Sequence, residues 1–203
     1  MDKIIRLLFI TFLLGVMLPI LSFADVKIGE VAPNFTLLDS NDQQRSLSEF
    51  AGKYVVLEWF NPECPFVRKH YDSGNMQGLQ EKYTAKDIVW LSIDSSADGN
   101  QGYLTTEEAK LFIEENHVSS TAVLLDPQGE VGKLYGAKTT PHMFIIDMEG
   151  KLIYQGAIDN VSSTNADDIP DAKNYVSETL DLALAGGPVK GFATKSYGCS
   201  VKY

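Results

Sequence analysis

Lys53-Tyr-Val-Val-Leu-Glu-Trp-Phe-Asn-Pro-Glu-Cys64-Pro65-Phe66-Val67 joins the two kinds of local structure that decide this fold. Tyr54 to Phe60 is an apolar run with strand character, and a Pro-containing turn ends it. Cys64 then opens a stretch that reads as a helix to about Tyr71. The first turn of a helix carries unpaired N–H groups and about half a unit of positive charge. A cysteine placed there has its thiolate stabilised and its pKa lowered, and the thiolate is the nucleophilic form. Cys64 is therefore the first candidate for chemistry, against the alternative of an inert, buried structural thiol.

Working outward, Val26 to Asp39 reads as an extended entry and a short strand, followed by a polar turn and a short helical turn over 45–50. Beyond the cysteine helix, Asp72-Ser-Gly74 interrupts, and Met76 to Tyr83 continues or restarts it. Ile88 to Ile93 is a buried-type strand, Asp94 to Gly102 a loop, and Thr105 or Thr106 caps a helix striped by Ala109, Phe112 and Ile113. Thr121 to Leu125 is strand-like, Val131 to Tyr135 a short helix, and Met143–Asp147 with Leu152–Gln155 a hairpin. Asp171 to Ala185 is amphipathic, and the tail from Val189 to Tyr203 shows no periodicity. Strands alternating with helices predict an α/β domain with a mixed central sheet flanked by helices. The domain spans 25–188, and the tail 189–203 carries Cys199.

The strand–turn–Cys64–helix junction resembles the thioredoxin superfamily, whose redox motif is Trp-Cys-x-x-Cys at that place. Val67 stands where the second cysteine would be. Gly29-x-x-Ala-Pro-x-Phe-x-Leu-x-Asp39 resembles the N-terminal hairpin of redoxins. Together with Thr139-Thr-Pro-His-Met-Phe144 and Tyr197-Gly-Cys-Ser-Val-Lys-Tyr203, these runs resemble the secreted peroxiredoxin-like group of the AhpC/TSA-type superfamily. The resemblance implies a thioredoxin-like fold in which Pro141 is cis, beside the redox cysteine, where its backbone meets the partner; otherwise Pro141 is an ordinary trans proline opening a strand. It also implies that Thr140, Pro141, His142, Trp59 and Pro65 border a bound thiol or disulfide substrate.

Glu58, six residues before Cys64, is the other candidate in the junction. The resemblance gives a buried acid at this place a part in proton transfer at the cysteines. A carboxyl inside an apolar run is costly unless paired or protonated. Glu58 is thus either a proton acceptor with a raised pKa or a strand residue reaching a solvated edge. His70 lies six residues into the helix and is assigned to the surface. Cys199 is the second sulfur, open to three roles: resolving partner of Cys64, static bridge, or free thiol. Cys64, a histidine and Cys199 offer copper or zinc ligands in kind, but no tight ligand spacing supports a metal site, and no cofactor is expected.

Lys3 and Arg6 precede an apolar stretch, Leu7 to Leu21, and Ser22-Phe-Ala24 places small residues at a cleavage position. Residues 1–24 read as a signal peptide, the alternative being an uncleaved anchor. Cleavage after Ala24 would leave no stable membrane insertion and a periplasmic or secreted chain of net charge −11. That acidity argues against a nucleic-acid partner. An oxidising compartment permits a disulfide between the two cysteines.

The leading expectation is a thiol-disulfide oxidoreductase that needs an unidentified reductant. Two others stand beside it: a thiol peroxidase-like antioxidant protein, and a non-catalytic redoxin scaffold binding a partner or metal. Against peroxidase, the family's Pro-x-x-x-Thr-x-x-Cys is missing: Asn61 lies three before Cys64 and Leu57 seven before. The arginines beyond residue 24 are Arg45 and Arg68 alone.

Overall fold

The computed structural model describes residues 26–203; the expected signal peptide, 1–24, lies outside the described residues. The central strand β3 (Val55–Trp59) is buried at every position because neighbours cover both its edges and both its faces, so it reads as a continuous apolar run. β4 (Val89–Asp94) lies parallel to it on one edge and β7 (His142–Ile146) antiparallel on the other. The sheet extends through β5 (Ala122–Leu125) to β1 (Thr36–Asp39) and β2 (Gln44–Ser46) on one side. On the other side lie β8 (Leu152–Gly156) and β9 (Phe192–Ala193). The sheet is therefore mixed, with β3, β4 and β5 as its parallel heart.

Side chains alternate across a strand, so β3 divides the core. Val56 and Phe60 join Cys64, Met76, Tyr83 and Phe112 on one face. Val55, Leu57 and Trp59 join Phe35, Tyr135 and Phe144 on the other. The first face is covered by α1 (Pro65–Asp72), α2 (Asn75–Thr84), α3 (Thr106–Glu115) and α5 (Tyr175–Leu184).

The break at residues 72–74 is a restart, since Gly74 adopts φ 75° and then serves as N-cap of α2. α3 is capped by Thr105, which exchanges bonds with Glu108. α4 (Glu130–Tyr135) ends at left-handed Gly136. α5 starts four residues later than its amphipathic pattern suggests. Asn174 takes the N-cap, accepting from Ser177 N at 2.8 Å, while Lys173 is held in the loop by Asn160.

The aperiodic tail is ordered by partners rather than by pattern. β9 adds to the edge of β8, and β10 (Cys199–Ser200) pairs with β6 (Thr139–Thr140), placing Cys199 opposite Thr140. Among the described residues no helix is long and apolar enough to cross a membrane.

Candidate redox site

Cys64 is the N-cap of α1, with Pro65 as the first helical residue. Proline suits that position because its missing N–H would be unpaired there anyway. The Cys64 carbonyl accepts from Val67 N and Arg68 N, both at 2.9 Å, which starts the helix. Its Sγ lies 3.1 Å from the Thr140 carbonyl and 2.7 Å from Cys199 Sγ. The two cysteines are not bonded to each other in this structure. The Thr140–Pro141 peptide is cis.

The two sulfurs are electrostatically unequal. Burial pushes the Cys64 thiol up, but its contacts with Cys199 and Thr140 and the backbone N–H groups of Cys199 and Val67 act on it more strongly in sum, leaving it below its ordinary value. Cys199 is pushed up, first by burial and then by its contact with the Cys64 sulfur. The first proton therefore leaves Cys64. A thiolate attacks in proportion to its population and is displaced more easily when its thiol is acidic.

Glu58 is fully buried on the Cys64 face of β3. Tyr71 Oη donates to its Oε1 at 2.9 Å. Trp90 Nε1, Ser92 Oγ and Gln80 Nε2 donate to its Oε2 at 2.7, 2.9 and 3.1 Å. Burial raises its pKa, and these donors oppose the rise. The solvated-edge alternative is thus excluded: the acid is enclosed and paired.

Two residues expected at the substrate lie elsewhere. Trp59 is wholly buried on the opposite face, packed on Tyr135 and Phe144 at ring separations of 5.5 and 5.0 Å. Its Nε1 donates to Ser95 Oγ. His142, opposite Trp59 in register, shares that face; its ring rests on Phe144 and its Nδ1 accepts from Lys138 N. Both corrections follow from the two-residue alternation of strands flanked on both faces. Thr140 and Pro141 do lie at the cysteine, but they are buried, as is Cys64 itself. Pro65 is exposed and borders an open depression of about 400 Å³ with Glu63, Arg68 and Thr164.

His70 is a further correction, being buried rather than at the surface. Val67, His70 and Tyr71 form the inner stripe of α1, and a three-and-four spacing in the sequence marks it. Burial lowers the His70 pKa to about 4, so the ring is neutral near pH 7. Beside it lies Asp159, buried, with Lys69 Nζ and His70 Nε2 each 3.8 Å from Oδ2. Tyr197 Oη donates to Asp159 Oδ1 at 2.6 Å. No motif marks Lys69, Asp159 or Tyr197 as members of one cluster.

Neither arginine addresses the sulfur: Arg45 pairs with Asp39 and Glu49, and Arg68 with Asp72. Among the described residues no three His, Cys, Asp or Glu side chains group to hold a metal ion.

A mixed sheet of this order, a cysteine at a helix N-cap and a cis-proline beside its sulfur define a thioredoxin-like redox protein. The AhpC/TSA family model matches residues 28–155, and the chain belongs to that family. It is similar to the thiol-disulfide oxidoreductase ResA of Bacillus thuringiensis subsp. konkukian, 29% identical over 64% of this chain and 69% of that protein. A putative thiol:disulfide interchange protein DsbE from Chlorobium tepidum superposes with TM-score 0.54 at 28% identity, covering 64% of this chain and 85% of that one. A hypothetical protein from Sinorhizobium meliloti 1021 shares the fold more completely, with TM-score 0.74 over 89% of this chain and 96% of the other, at 22% identity.

Proposed function

We propose that this protein is an extracytoplasmic thiol-disulfide oxidoreductase whose working pair is Cys64 and Cys199. The observation that carries the reading is the 2.7 Å approach of the two sulfurs at the N-cap of α1, beside Thr140 and Pro141. Its relatives' names supply the reaction class: thiol-disulfide exchange.

Cys64 thiolate attacks one sulfur of a client disulfide, forming a mixed disulfide and expelling the other client sulfur as thiolate. Cys199, after losing its proton, attacks Cys64 Sγ. The Cys64–Cys199 bond forms, and the second client thiolate leaves. The client has gained two electrons and the protein has lost two, which an external dithiol restores. The higher pKa of Cys199 keeps it protonated until Cys64 has become the electrophile, which orders the two attacks. Glu58 is the internal group proposed to accept and return protons during this exchange, enclosed as it is on the cysteine's face of β3. Thr140 and Pro141 shape the client's seat and Pro65 its rim.

The basic start and apolar stretch of residues 3–21 support export, and an oxidising compartment suits a two-cysteine cycle. Catalysed reduction of a protein disulfide by the mature chain with dithiothreitol tests the reading. Wild type is expected to turn over, Cys64→Ser to show no exchange, and Cys199→Ser to accumulate mixed disulfide. Equal rates for wild type and Cys64→Ser would refute it.

A further inference from the structure

The pairing of the two cysteines depends on how the tail is held, because they are separated by 135 residues and Cys199 stands on a two-residue strand. Thr140 and Ser200 belong to a pairing too short to stabilise itself. Something beyond the ladder must fix the tail. Tyr197, two residues before Cys199, reaches the buried charge cluster from the tail. Its ring lies 5.8 Å from that of Phe66 on α1, and its hydroxyl bonds to Asp159. Asp159 is in turn fixed by Val161 N at 2.9 Å and faces Lys69 Nζ. Lys69 also donates to the Val161 carbonyl at 3.3 Å.

Lys69 and Phe66 belong to the same helix that Cys64 caps. Tyr197 is therefore tied, through the carboxylate and through its ring, to the element that presents the first sulfur. Between Tyr197 and Cys199 stands Gly198 at φ 128°, where a Cβ would lie 2.0 Å from the Thr140 carbonyl oxygen. Only glycine lets the tail backbone approach this closely. The tripeptide Tyr197-Gly198-Cys199 thus works as an anchor, a close-approach residue and a thiol.

We propose that Tyr197, held by Asp159, is a positioning residue that sets the effective concentration of the Cys199 thiol at Cys64. This inference rests on the two-cysteine reading above. Tyr197 touches neither sulfur, so its effect falls on the equilibrium between open and closed tail. The same equilibrium governs access, since Cys64 is fully covered in the closed arrangement. Loosening the anchor therefore moves two observables in opposite senses: the equilibrium constant for closing the intramolecular disulfide falls, and the rate at which the lone Cys64 thiol is reached rises.

Tyr197→Phe is the informative change, because it keeps the ring against Phe66 and removes only the hydroxyl. The full mature chain is equilibrated with reduced and oxidised glutathione; the oxidised form consumes two glutathiones per disulfide opened and releases one glutathione disulfide. A hydrogen bond to a charged acceptor is strong enough to alter such an equilibrium about tenfold. The expected result is a tenfold fall in the equilibrium constant for closure, about 30 mV at two electrons. In a Cys199→Ser background, Tyr197→Phe is expected to raise the iodoacetamide rate at Cys64 several-fold. Unchanged closure and unchanged alkylation would overturn the inference, as would a lowered thermal midpoint with no shift in either. If wild type forms no Cys64–Cys199 disulfide at all, the two-cysteine reading itself fails and this inference with it. A wild-type disulfide indifferent to the hydroxyl removes the inference alone.

Discussion

Gly132→Ala should expel the last residue of the chain from its seat. Gly132 lies in α4 and has no need of a left-handed conformation. A Cβ there would meet Tyr203 Oη and Cε1 at 2.6 Å and Ser95 Oγ at 2.9 Å. No real Cβ sits so close, so the phenol must leave. Leaving forfeits the 2.7 Å hydrogen bond from Tyr203 Oη to the Ala137 carbonyl, worth about 1 kcal/mol. Tyr203 is 38% exposed, so its ring burial adds only about 1 kcal/mol. Lys133 Nζ, 5.2 Å from the ring centroid, contributes about 0.5 kcal/mol. Alanine returns up to about 1 kcal/mol as the better helix former. The net cost in wild type is about 1.5 kcal/mol. In a Tyr203→Ala background the expelled interactions are already gone. The Ser95 contact and the helical gain are the same in both backgrounds, so the cost falls by about 2.5 kcal/mol, the worth of the expelled interactions. Urea denaturation of the four proteins in this cycle should give a coupling of about 2.5 kcal/mol, well above the few tenths expected of independent sites. Equal costs of Gly132→Ala in both backgrounds would show that the phenol does not occupy this recess.

Glu58→Leu should cost at least about 3 kcal/mol, because it leaves the buried donors of Tyr71, Trp90, Ser92 and Gln80 without their shared acceptor. Glu58→Gln, which keeps an oxygen for most of them, should stay within about 1 kcal/mol by the same denaturation; comparable losses would refute the enclosed-carboxyl account. Asp94, at the end of β4, has its pKa raised to about 7, chiefly by burial, with the charge of Asp126 adding to the effect. The folded protein therefore holds that proton to higher pH than the unfolded chain, and its contribution to stability falls between about pH 4 and pH 7. Asp94→Asn should gain on wild type by on the order of 2 kcal/mol between pH 5 and pH 8, about 4–8 °C in Tm. A pH-independent difference would refute it.

Much of the frame was legible because it rests on short-range rules. Tyr54 to Phe60 announced a strand, Cys64-Pro65 a helix start, and Val131 to Tyr135 a short helix. The positions of Trp59 and His142 were harder to read. A strand buried on both sides gives no hydrophobic contrast to say which residues face the cysteine, although counting back by twos from Phe60 separates Glu58 from Trp59. The tail was illegible for a different reason. Its order comes from a backbone pairing with Thr139–Thr140, a phenol on a remote carboxylate and a recess made by Gly129 and Gly132. None of these leaves a periodic trace, and each partner lies far away along the chain.

The two tryptophans of the chain stand on opposite faces of one sheet, and each indole nitrogen is committed to a different network. Trp90 donates to Glu58, inside the core that carries Cys64. Trp59 donates to Ser95 Oγ, which donates to Asp126 and faces Gly132 across from the phenol of Tyr203. The molecule is thereby equipped with two intrinsic fluorophores that sample separate compartments. With Trp59→Phe, emission reports on the chamber behind the reactive thiol. With Trp90→Phe, it reports on the berth of the carboxy-terminal aromatic, so redox chemistry and tail docking can be followed as independent optical signals without a label.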